Sequence, residues 1–325
     1  MYDVTNDPWQ PDGFEGATAV PATFVEMPQI LLDGRDNEMD WERAVEVEVP
    51  LTFGLVRSAW IKALYSNDEV FLRIRWEDAT EDRLHRPWVW NAEQGRYEEG
   101  SQVEDSVIVS IEAGCWWAPS FLEGYVFDFD GWRWLAARSD PVGQAVDIDG
   151  SVQDRDLTSL GFIQYQSRNA GDVWNLKFTE EQDDSFYKTW DQLDRTYLHQ
   201  PSTGTVYYRG FPDGLRADQI GRRLSPPEVP PAAGESGVVA QYEAVPFDGD
   251  AGEVGAKGQW EDGYWTVEFR RTLVTPSETT SDSVFNRLTQ FSIHVFDHVE
   301  RVDQSSESGR LFLQFMKPED LVTMD

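Results

Sequence analysis

In 325 residues the chain has one cysteine, Cys115, and only five lysines. A lone thiol forbids an internal disulfide. With no CxxC, CxxCH or zinc-ligand spacing present, covalently attached c-type haem and structural zinc are also excluded. No run of eighteen apolar residues occurs, so no segment is a candidate for direct membrane insertion. The opening MYDVTNDPWQPDGFEG lacks the charged and apolar regions of a signal peptide, which predicts export only with a partner or after loss of a leader. GxSxG, HExxH, P-loop and GxGxxG patterns are missing too. Carboxylate pairs such as Asp128 and Asp130 arise by chance among fifty-nine acids and carry no glycosidase argument. The chain is expected to perform no chemistry of its own.

Acidic residues are abundant. Fifty-nine Asp and Glu against twenty-seven Lys and Arg leave a formal charge of −32, which repels nucleic acid and anionic membranes alike. The acids are interspersed with apolar residues, and a hydrophobic fraction of 40% is too high for a disordered chain. Arginine supplies nearly all the positive charge. Such a surface suits multimolar salt, where the Debye length falls to about 3 Å at 1 M and self-repulsion is screened. The composition therefore points to a halophile.

Residues 1–28, rich in Pro, Asp and Gly, read as an extended arm. Strand signals follow in AVEVEVPLTF (44–53), SAWIKALYS (58–66), EVFLRIRWED (69–78) and SVIVSIEA (106–113). Between them, residues 79–100 read as a long functional loop. From about 165 to 250 the periodicity fades, with a helix candidate at 183–198 and a Pro-rich excursion at 222–237. The β pattern returns in AKGQWEDGYWTVEFRRTL (256–273), FSIHVFDHVE (291–300) and RLFLQFM (310–316). The layout predicts a mainly β protein: one antiparallel β-sandwich over 29–325, interrupted by a long irregular or helical insertion at about 165–250.

Four segments carry a family resemblance: LLDGRDNEMDWERAVEVEV, VFLRIRWEDATED, FDGWRWLAARSDPVGQAVD and GQWEDGYWTVEFRRTL. The first two are common to carbohydrate-binding and haem-binding sandwich modules, and the last two together are more specific. The chain resembles the haem-binding γ subunits of ethylbenzene dehydrogenase, dimethylsulfide dehydrogenase and their relatives. The resemblance implies a carbohydrate-binding-module-like β-sandwich holding one haem b. It also implies an electron-transfer role beside a catalytic molybdenum subunit and an iron–sulfur subunit, at the extracytoplasmic face of a membrane. The alternatives are a cytoplasmic location and a haem-free structural or carbohydrate-binding module. The b-type relatives ligate iron through a Met and a Lys; here Leu122 and Glu123 stand at the Met position, and residues 302–313 contain no Lys.

Haem iron also accepts His and Cys thiolate. His294 and His298 share one face if 291–300 is a strand, and Cys115 lies beside the turn that carries the ligand Met in b-type relatives. These three are the candidate ligands, with Met316 in reserve. Trp132 and Trp134, with Trp116 and Trp117, read either as haem-pocket walls or as core. Arg138 and Arg133 are able to contact propionates or to form salt bridges. His85 and His199 read as solvated loop residues, and Asp147 with Asp149 as a weaker candidate for a hard cation.

Overall fold

The computed structural model describes residues 18–117, 124–155, 163–167, 198–199, 208–209, 220–248, 252–275, 285, 288–300, 304–309 and 311–316. In chain order the larger strands are β1 (Thr18–Phe24), β2 (Val47–Phe53), β3 (Ser58–Tyr65) and β4 (Glu69–Glu77). The short hairpin strands β5 (Trp88–Asn91) and β6 (Arg96–Glu99) follow, then β7 (Ser106–Trp117), β8 (Gly124–Leu135), β9 (Val146–Arg155) and β10 (Ile163–Ser167). Five two-residue strands come next: β11 (Leu198–His199), β12 (Tyr208–Arg209), β13 (Arg222–Arg223), β14 (Val238–Val239) and β15 (Tyr242–Glu243). The chain closes with β16 (Gly255–Glu261), β17 (Tyr264–Thr272), β18 (Leu288–Phe296), β19 (Ser306–Ser308) and β20 (Leu311–Phe315).

A hydrogen-bonded path runs β10-β9-β8-β7-β18-β19-β2-β3-β4-β17-β16. It folds back on itself, because Trp134 of β8 packs edge-to-face on Trp265 of β17 at 4.9 Å and on Trp76 of β4 at 6.3 Å. Strands distant along the path thus face one another as the two layers of a sandwich. Alternation explains which side chains meet there. In β3, Ala59, Ile61 and Ala63 are fully buried while Trp60 and Lys62 turn outward; in β17, Trp265, Val267 and Phe269 point into the core.

The β16–β17 hairpin forms as its Glu-Asp-Gly sequence predicts. Asp262 and Gly263 have φ of 51° and 83°, the left-handed pair that a two-residue turn between twisted strands requires. Pro21 makes β1 a poor strand by sequence, yet Thr18–Ala22 pairs parallel with β20 and Ala22–Phe24 parallel with β3. Residues 18–24 of the expected arm are therefore part of the sandwich. Likewise the 79–100 loop contains the β5–β6 hairpin, to which β14 adds. The helix candidate at 183–198 lies outside the described residues except for Leu198 in β11.

Candidate functional site

Of the candidate ligands whose side chains are described, His294 is the one the fold buries. Ile293 and Val295 point into the core, so alternation in β18 turns His294 to the outer face, where Phe296 joins a second apolar cluster with Ile108, Leu135, Val146 and Ile220. Its Nδ1 lies 3.4 Å from Ser305 Oγ and 3.8 Å from Glu307 Oε2. Burial lowers its pKa to about 4, so the ring is neutral at ordinary pH.

His298 does not share that environment. The strand ends at Phe296, and His298 has φ of 43° with a half-exposed side chain whose Nδ1 lies 2.5 Å from Asp297 Oδ1. Cys115 is also remote. In the β18–β7 ladder His294 faces Ile108, and Cys115 lies seven residues further along β7, roughly 20 Å away at about 3.3 Å per residue. Axial donors to one iron must stand within a few ångströms of each other, so His294 and Cys115 do not fit as a pair. The Cys115 side chain lies outside the described residues. Met316 follows β20, where its N–H donates to Ala22 O and its carbonyl accepts from the Tyr65 hydroxyl.

Trp132 and Trp134 are fully buried in the interlayer core. Trp132 packs against Phe269 and Phe285, with the Arg271 guanidinium 5.5 Å from its ring, and Arg271 in turn pairs with Asp130, both wholly buried. Trp134 Nε1 donates to Asp140 Oδ1 at 2.9 Å, and Asp140 also receives the Gly258 N–H, Lys257 Nζ and Arg83. Arg138 pairs with the buried carboxylate of Glu104 at 2.5 Å. Trp132, Trp134 and Arg138 of the FDGWRWLAARSDPVG segment are thus engaged in packing and internal ion pairs.

His85, expected in solvent, is buried. Its Nδ1 is 3.4 Å from Glu104 and its Nε2 3.4 Å from Glu300, with Tyr242 edge-on at 5.3 Å. Burial, reinforced by Arg138, Arg86 and Arg133, lowers its pKa to about 2. His199 lies in β11. Asp147 is buried opposite Trp132 in the β8–β9 ladder; the Asp149 side chain lies outside the described residues.

Local sequence gave less notice of an acidic cluster at the end of the sandwich nearest the Trp76–Trp265 stack. Asp78 follows β4, Asp105 precedes β7, and Asp297 with His298 follows β18. Asp105 Oδ2 accepts from Trp265 Nε1 at 2.9 Å and from Asp82 N–H at 2.8 Å, and Oδ1 accepts the His298 N–H at 2.9 Å. Burial and then Asp78 push the Asp105 pKa up to about 8; burial raises that of Asp78 to about 6. Asp78 and Asp82 belong to the quoted WEDATED segment, which was the available signal. Asp297 lies in the quoted FSIHVFDHVE segment, whereas Asp105 had no such signal.

The fold and these residues define a β-sandwich built around a tryptophan core, with acidic loops at one end. A family model described as ethylbenzene dehydrogenase matches residues 40–306, and the chain belongs to that family. Among solved structures it is similar to a family 9 carbohydrate-binding module from Caldicellulosiruptor kristjanssonii. The glucose complex is 8% identical, covering 93% of this chain and 98% of that one, with a TM-score of 0.34. The cellotriose complex is 10% identical over 95% and 100%, with a TM-score of 0.33. No curated protein matches. Among the described residues, no helix is long and apolar enough to cross a membrane.

Proposed function

We propose that this chain is an accessory electron-transfer subunit of a molybdenum oxidoreductase complex, holding one haem b and docking to an iron–sulfur subunit beside the catalytic subunit. The complex would stand at the extracytoplasmic face of a membrane. The observation that carries this reading is family membership across residues 40–306, which takes in β2 through β18. Haem would supply one-electron Fe(III)/Fe(II) cycling. The chain's contribution is a buried, uncharged imidazole at His294, in the protonation state that metal ligation requires. His298 and Cys115 are set aside, since one is half exposed and the other about 20 Å along the strand.

A haem-free structural or carbohydrate-binding subunit is the second reading. It is favoured by the separation of His294 from Cys115 and by the close packing of Trp132 and Trp134 in the core. Haemin titration of the wild type and of His294→Ala separates the two readings. Electron transfer predicts a saturable Soret shift in the wild type that His294→Ala loses or displaces. No shift in either protein supports the haem-free reading, and glycan binding is then measured.

A further inference from the structure

The carboxyls of Asp78, Asp105 and Asp297 converge from three strand ends that are far apart in sequence, with one ligand oxygen of each within 4.8 Å of the others. Asp78 and Asp105 are 2% and 0% exposed. Asp78 Oδ1 accepts the Thr80 N–H at 3.0 Å, while Oδ2, sealed from solvent, has no hydrogen-bond partner. The indole N–H of Trp76 faces this carboxyl without completing a hydrogen bond. Among the described residues, no Lys or Arg pairs with Asp78, Asp82, Asp105 or Asp297. Buried carboxylates without a counter-charge are costly, and an unsatisfied carboxylate oxygen adds to that cost.

We propose that Asp78, Asp105 and Asp297 bind one hard divalent cation of the calcium class, with Asp82 and His298 at its solvent-side rim. Asp82 and His298 form a second close group that shares Asp105, and the half-exposed His298 marks the route by which an ion enters. The three innermost donors are all carboxylate oxygens, the donor type of calcium and magnesium and a poor match for zinc. Calcium–oxygen distances of about 2.3–2.6 Å allow ligand oxygens up to roughly 5 Å apart across one ion; magnesium, at about 2.0–2.1 Å, demands a tighter cage. The three oxygens lie within 4.8 Å of one another, inside the reach of one calcium ion. A cation here ties the end of β4 in one layer to the ends of β7 and β18 in the other, directly over Trp265.

The test uses the full chain, stripped with EGTA and held in 3 M KCl so that diffuse counter-ion effects are constant. CaCl2 is titrated by calorimetry, and thermal unfolding is followed in parallel. One calcium per chain and a melting temperature that rises with CaCl2 are expected. Asp297→Asn, a partly exposed position, should weaken binding at least tenfold. Asp78→Asn is the second variant, and the exposed Glu228→Gln should bind as the wild type does. Absence of a calcium response in the wild type, an equal response to MgCl2, or wild-type affinity in both Asp variants overturns the proposal.

Discussion

His294 and His85 are buried imidazoles whose folded pKa values, about 4 and about 2, lie below the ordinary 6.5. Below pH 6.5 the unfolded chain binds protons at these sites and the folded chain does not. Stability contributed by the neutral rings is therefore full above pH 6.5 and lost progressively as the pH falls. For His294 the loss reaches on the order of 3 kcal/mol by pH 4. His294→Gln should flatten the fall in denaturation midpoint between pH 6.5 and 5, where fewer carboxylates titrate; a slope equal to that of the wild type contradicts this assignment. Neither burial was legible from neighbouring residues. His85 sits in the polar run RLHRP and is enclosed by Glu104, Tyr242 and Glu300, all remote in sequence. The acidic cluster was hidden for a related reason: with fifty-nine acids in the chain, nothing local distinguishes Asp105 or Asp297.

Among the elements, those with alternation and a strong turn were readable. SAWIKALY and EVFLRIRWE became β3 and β4, and the Glu-Asp-Gly hairpin became β16 and β17. Elements that depend on distant partners were not. Strand β1 contains Pro21 and is held by parallel pairing to strands near both ends of the chain, while β5 and β6 are four residues each and half exposed. Trp132 and Trp134 of the FDGWRWLAARSDPVG segment left pocket wall and core as rival readings, and burial with the Trp134–Asp140 hydrogen bond places both in the core. Strand β16 shows how tightly that core is closed. A Cβ on Gly258 would lie 2.3 Å from Trp134 Cζ2, and Trp134 is itself packed on Trp265. Gly258→Ala should destabilise the fold by about 1–3 kcal/mol through this overpacking. A change under about 0.5 kcal/mol in the denaturation midpoint would show that the Trp134 ring yields.

For the whole molecule, the sandwich and the family were both legible, because alternating strands and the paired WRWLAAR and GQWEDGYW segments survive in sequence. The ligand set was not legible, since iron ligation depends on which side chains the ladders bring together. The net charge of −32 acts at this scale as well. Repulsion among surface carboxylates opposes the compact state at low ionic strength and is screened in molar salt. The melting temperature should rise steadily from 0.1 to 3 M KCl; a flat or falling curve contradicts adaptation to salt. The central claim, that this sandwich serves electron transfer, is tested most directly by the absorbance spectrum of the purified chain, expressed with ample haem, before and after dithionite. A bound haem b gives a Soret band and sharpened α and β bands on reduction, and acid acetone extracts it because no CxxCH is present to form a thioether link. A colourless protein whose spectrum is unchanged by dithionite would contradict the account.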